Sequence, residues 1–372
     1  MNPPAAELVA RARRDVDDGP LPSCQFAVAR AGELLAFETI GAPDAAPAGN
    51  DTRYVIYSSS KGVFASAVWA AVSDGLLSYA TRVADVVPEF AANEKRDVTV
   101  DHLMTMTAGF PRAPLGPPDW LTSGGRVAAF ARWRLDWEPG SRCEYHASSA
   151  HWVLAELIER SSGRDFRQYL RERVMEPLGL GLFLGSSSLD EKQLALPVAV
   201  GKPPSAQELE AVTGIAGIEL PDIPDEHLLR FRDPEIRAAG QPAAGVIGTA
   251  ADLALYYQAL LANPGNLFDP AVLADGTAVV RTGDMVDPVR GAAALRTRGV
   301  MVAGDDGNAT RRGFGRRVSP RAFGHDGMGG QVAWADPDTG ISFAYLTNGL
   351  DAHLMRMARR GVALSDLACA LV

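Results

Sequence analysis

The sequence has 372 residues, 47% of them hydrophobic and 22% charged, with a formal net charge of −9. That is apolar material for a large core, built as one big domain or as two lobes, and the acidic balance argues against nucleic acid as the main partner. No apolar run approaches the ~18 residues of a membrane span, the N-terminal segment has no apolar centre of a secretory signal, and Cys24, Cys143 and Cys369 are too few and too widely spaced for a disulfide framework or a zinc site. A cytoplasmic protein with reduced, mostly buried thiols is expected, needing no metal and no cofactor.

In chain order, residues 5–16 read as a short surface helix. CQFAVARAGELLAFETIG reads as a β-hairpin, with apolar runs at 26–29 and 34–40 around a turn at Ala31 and Gly32. A short strand follows at 54–57. Over 61–76 the period changes: Val63, Phe64, Ala67, Val68, Ala71 and Val72 recur at helical spacing nearly all round, the pattern of a helix buried on most faces. Ser58, Ser59 and Ser60 stand where its N-cap belongs.

A helix is predicted over 100–107, then an irregular wall at 110–145. Its Trp120, Trp133 and Trp137 line an apolar acyl pocket or simply fill core. Helices follow at 149–161, ending at Gly163, and at 165–175, stopped by Pro177. Residues 185–245 are loop-rich, as an active-site rim is. Thr249 and Asp252 open a helix reaching Leu261. Strands are predicted near 298–303, 322–325, 330–335 and 341–347, and a closing helix over 352–369. Arg311, Arg312, Arg316, Arg317 and Arg321 read as a solvated loop. Strands at both ends and helices between them predict an α+β fold. An antiparallel sheet is assembled from about 5–60 plus 265–370, and a mainly helical lobe is inserted over about 61–264, all one domain spanning 5–370.

Three sets of residues carry chemistry. Ser58-Ser59-Ser60-Lys61 is an S-x-x-K, whose first and last residues share a helix face. Serine needs a base, and lysine serves as one when burial and nearby positive charge disfavour its ammonium form. Tyr145, just before a helix, is placed to relay a proton. His325-Asp326-Gly327, followed by Met328, lies on a late strand where glycine lets a substrate approach the backbone. Taken singly, each has a plain structural alternative: capping serines with a snorkelling lysine, a loop-closing tyrosine, an inert turn histidine. His102, His151, His227 and His353 are expected to be structural or exposed.

The order and spacing of these sets resemble the serine β-lactamase and penicillin-binding protein superfamily, closest to its class C β-lactamase-like branch with family VIII carboxylesterases and D-aminopeptidase-like hydrolases. The resemblance runs through RYVIYSSSKGVFASAVWAAVSDGLL, DHLMTMTAGFP, YLRERVMEPLGL, GVIGTAADLALYYQALL and GHDGMGGQVAWADPDTGISFAYLTNG. It implies a β-lactamase/transpeptidase-like fold, with Ser58 as nucleophile and Lys61 and Tyr145 as its proton-handling partners. It also places His325 and Gly327 at the family's K/H-x-G strand position and makes an oxyanion hole of the backbone N–H groups of Ser58 and Met328. One departure stands out: the family's Tyr-x-Asn is here Tyr145-His146-Ala147, and alanine cannot hold a substrate amide. A small-molecule ester is therefore the expected substrate, with acyl transfer or hydrolysis of amides, D-amino acid derivatives or β-lactams on the same serine as the alternative, and a member that only binds as a third reading. Neither nucleic acid nor membrane is expected as a partner.

Overall fold

The structure, a computed structural model, describes residues 3–43, 47–185, 189–213 and 225–371. Helix α1 (Pro3–Asp17) buries Ala5, Leu8 and Ala12. It leads into the hairpin of β1 (Ser23–Arg30) and β2 (Glu33–Gly41). Arg30 pairs with Glu33 across a two-residue turn in which Ala31 (φ 52°) and Gly32 (φ 80°) are both left-handed, the backbone that matches the twist of the flanking strands.

The main sheet is completed from far along the chain by β3 (Met301–Val302), β4 (Phe323–Gly327), β5 (Gln331–Asp336) and β6 (Ile341–Thr347). Its order is β3-β4-β5-β6-β1-β2, antiparallel throughout. Both faces of β1, β5 and β6 are buried, while β2 is more exposed, and the period of two sends alternate residues to opposite sides. Phe26, Val28, Trp334, Phe343 and Tyr345 face α1 and the closing helix Leu354–Ala368. Ala27, Ala29, Ala333, Ala335 and Ala344 face the other way, into the larger core.

Onto that alanine face packs the helix Ala250–Ala262. The sequence groups this helix with the inserted lobe; its strand contacts are with β1, β2, β5 and β6 of the main sheet. Gln258 explains the docking, donating to the Ala29 and Gly340 carbonyls and to Ser342 Oγ, each at 3.0 Å. Such bonds hold a buried amide only in that one position. Thr249 Oγ1 accepts from the Asp252 N–H at 3.0 Å, as the sequence indicated.

Other boundaries shift for local reasons. The helix expected over 100–107 spans only Val100–Met104, because Met106 turns left-handed (φ 61°). Pro177 does not stop a helix in front of it. The chain widens into a π turn at Arg171–Met175 and continues through Pro177 to Leu178, which spares the ring its clash with a preceding carbonyl. The wall at 110–145 contains the helix Ser123–Arg132, its pattern masked by Gly124 and Gly125. The segment 185–245 carries the short helices Ala206–Thr213 and Pro234–Ala239, while its parts at 186–188 and 214–224 lie outside the described residues. Arg312 is no solvated loop residue. It is 1% exposed, ion-paired with Asp306 and bonded to the Ala303 carbonyl. The three cysteines are free, two of them buried. Among the described residues no helix is long and apolar enough to cross a membrane.

The closing helix is fastened by charge. Asp351 receives Arg356 at 2.6 and 2.8 Å and the buried Arg360 at 2.8 Å. Asp351→Ala strands the Arg360 charge, and urea unfolding is expected to show a loss of about 3–5 kcal/mol.

Candidate active site

The site begins with a short strand, Arg53–Val55, paired antiparallel with Val246–Gly248. The expected strand to residue 57 ends early because Tyr57 adopts φ 45°, a conformation costing a non-glycine residue of order 1–3 kcal/mol. Tyr57 is held there by its OH, which donates to the Leu228 carbonyl at 2.9 Å, and by its ring, edge-on to Phe231. The turn Tyr57–Ser59 then delivers Ser58, half-buried, to the start of α2 (Ser60–Ser73), where every residue from Ser60 to Ala71 is buried.

Ser59 stands at the N-cap of α2, as the sequence indicates, but its side chain makes no cap hydrogen bond. Ser59 Oγ donates to the His325 carbonyl at 3.0 Å, and Ser60 Oγ accepts from the Val246 N–H at 3.0 Å. They tie the turn to β4 on one side and to the small sheet on the other.

Lys61 is 0% exposed. Its Nζ lies 3.2 Å from Ser58 Oγ, donates to the Ala243 carbonyl at 3.1 Å, and sits 4.9 Å from the Tyr145 ring centroid. Burial pushes its pKa below the 10.5 of an ordinary lysine; Tyr145 opposes the shift and Arg296 adds to it. Tyr145 comes from the loop before helix α3 (Ser149–Ser162), and its OH donates to Ser58 Oγ at 2.8 Å. One hydroxyl thus lies within hydrogen-bond reach of both an amine and a phenol, the arrangement that moves a proton on and off a serine.

His325 is buried on β4, its Nδ1 donating to the Asp326 carbonyl at 2.7 Å. Burial pushes its pKa down to about 3, so the ring is neutral near pH 7. Gly327 closes the site from the other side. A Cβ there would stand 2.6 Å from the Ile56 carbonyl oxygen, so only glycine lets β4 lie against the Ser58 turn, with Met328 next in the chain. Asp326 is gripped by Arg290 at 2.6 and 3.0 Å.

Ala147 is exposed and has no side-chain amide. The His146 ring is committed, Nδ1 donating to the Glu144 carbonyl at 2.7 Å and Nε2 accepting from the Phe110 N–H at 3.2 Å. Trp120 and Trp133 are core residues, stacked on Trp152 and on Phe110 and Phe130; Trp137, against His146, is the partly exposed one. His102 and His353 serve helix starts and His151 is buried. One member escaped the sequence: Arg296, whose guanidinium carbon lies 5.4 Å from the Tyr145 ring centroid. It stands in a segment without motif or period, and nothing there marked it.

Sheet, inserted helices and an S-x-x-K turn define the β-lactamase/transpeptidase class of folds. The chain belongs to the Beta-lactamase family, whose sequence profile matches residues 8–367. The esterase/beta-lactamase LipL of Mycobacterium tuberculosis (strain ATCC 25618 / H37Rv) is 28% identical over 336 residues, 84% of this chain and 72% of LipL. A penicillin-binding protein homologue from Caulobacter crescentus superposes with a TM-score of 0.80 at 28% identity, covering 100% of this chain and 98% of its own. A family VIII carboxylesterase gives 0.78 at 26%, covering 98% and 97%.

Gly327→Ala forces β4 off the Ser58 turn. We expect Ser58 labelling by a fluorophosphonate to slow on the order of 10²-fold, with the near-UV circular dichroism of the folded protein retained.

Proposed function

We propose that this chain is a serine hydrolase cleaving small carboxylic esters through an acyl-enzyme on Ser58. The observation that carries the reading is the meeting of Lys61 Nζ and Tyr145 OH at Ser58 Oγ, at 3.2 and 2.8 Å. Ser58 Oγ attacks the ester carbonyl carbon as its proton passes to the neutral Lys61 amine. The carbonyl π pair moves onto oxygen, facing the backbone N–H groups of Ser58 and Met328. Re-forming the C=O bond expels the alkoxide, which is protonated through Tyr145 and leaves as alcohol. Water then repeats the attack on acyl-Ser58, a proton returns to the serine, and the acid departs.

Ester substrates are favoured over β-lactams by Ala147 and by the pinned ring of His146, which leave no side-chain amide after Tyr145 to orient a substrate amide. A site that binds a polar group through fixed partners rejects or accepts by those partners, and that partner is missing here.

Turnover of p-nitrophenyl acetate and butyrate is expected, with nitrocefin slow or untouched, and intact-mass spectra should show the acyl adduct on Ser58. Ser58→Ala should abolish ester turnover, by on the order of 10⁴-fold or more, and Tyr145→Phe should lower it ~10²–10⁴-fold. No turnover at any acyl length together with no adduct refutes the proposal.

The pH dependence follows from Lys61. A base works in its neutral form, so kcat/KM rises as pH climbs through the Lys61 pKa. Burial places that rise below the 10.5 of free lysine. A profile still rising toward pH 10.5 contradicts the assignment of Lys61 as base.

A further inference from the structure

The strand position that the family fills with Lys or His holds His325, buried and neutral. The strand therefore brings no positive charge to Ser58. Yet the Tyr145 ring has both the Lys61 amine and a cation close to it, Lys61 Nζ at 4.9 Å and the Arg296 guanidinium at 5.4 Å from its centroid. Arg296 is 1% exposed. Its Nε and Nη2 make no hydrogen bond, and its counter-ion Asp287, also 1% exposed, stands 3.5 Å away with Oδ2 likewise unbonded. The backbone around it is fixed. The Arg296 N–H donates to Thr282 Oγ1 at 2.9 Å, and its carbonyl accepts from the Arg281 N–H at 2.7 Å.

A guanidinium stays charged at any pH a protein survives. Burying one with a loose counter-ion is costly, partly offset by the face of an aromatic ring. The surplus positive charge is directed at Tyr145 and, beyond it, at Lys61.

We propose that Arg296 is a positioning residue for the Ser58 chemistry, holding the Tyr145 phenol against Ser58 and supplying the permanent positive charge that the late strand lacks. The inference rests on the serine hydrolase reading given above. Its consequence for Lys61 depends on what else faces that amine. Tyr145 approaches from the loop before α3, and His151 from α3 itself, its pKa pushed well below 6.5 by burial. From β4 come neutral His325 and Asp326, the latter tied to Arg290. Asp287 stands 3.5 Å from the Arg296 guanidinium, and its backbone carbonyl accepts from the Arg290 N–H at 3.1 Å. With both histidines neutral and Asp326 paired, Arg296 is the cation whose removal most directly lets Lys61 keep its proton.

The test is the second-order rate of Ser58 labelling by a fluorophosphonate as a function of pH, in the full chain. Arg296→Met is expected to move the acid limb up by about one pH unit, which slows labelling about tenfold at any pH on that limb, and to lower the alkaline plateau as Tyr145 loses its support. Arg296→Lys keeps a charge and should hold the limb within roughly 0.3 unit. Asp287→Asn removes the opposing negative charge, leaves the guanidinium and should move the limb down, which keeps the idea testable if Arg296→Met does not fold. An unmoved limb in Arg296→Met, a limb in Arg296→Lys displaced as far as in Arg296→Met, or an upward or absent shift in Asp287→Asn overturns the role given to Arg296. Unaltered protein that takes no label at any pH refutes the hydrolase reading itself, and this inference with it.

Discussion

Lys61 has lost its water, and much of the molecule is arranged around that loss. Helix α2 is apolar on every side from its first turn, so it can sit only in the middle of the protein, and it takes its lysine there with it. A buried ammonium is expensive, and burial moves the group's pKa below that of a free lysine, toward the neutral form. The partners it finds are a serine hydroxyl, one backbone carbonyl and the face of a phenol ring. Hydrophobic packing and acid–base chemistry are here the same fact, seen from the helix and from the amine.

Holding Ser58 beside that amine requires backbone that propensity would not choose. Tyr57 twists left-handed to turn Ser58 outward, and Gly327 gives up a side chain so that the last elements of the sheet can touch the turn. The hydroxyls of Ser59 and Ser60, which in an isolated helix would cap it, are spent on cross-ties to β4 and to Val246. Strain and stitching of this kind collect at sites where geometry matters more than stability.

What the sequence disclosed follows the same division. The i, i+3 spacing of Ser58 and Lys61 is a property of any helix, and the all-round apolar pattern after it already announced burial. The two-residue turn at Ala31 and Gly32, the αL stop at Gly163 and the Thr249 cap are equally local and were legible. Tyr145 was found through its place in an ordered set of motifs. Arg296 and the buried role of Arg312 were not legible, because an arginine in a coil-like segment looks the same whether its loop faces water or a tyrosine ring. Nor was the allegiance of the helix Ala250–Ala262, since an amide reaching into a sheet edge, as Gln258 does, leaves no periodicity. Contacts set by neighbours distant in sequence are the part that pattern does not encode.

The pairing of β1 with β6 joins segments far apart along the chain: Cys24 pairs with Thr347. At a ribosomal pace of ~5–20 residues per second, the hairpin of β1 and β2 waits on the order of tens of seconds for β6. During that interval one whole edge of β1, with Phe26 and Val28 among its side chains, has no strand to cover it. A naked edge of that kind is a template for pairing with another nascent copy, so the yield of active protein in a cell should depend on how crowded the polysome is and on which chaperones reach the hairpin first.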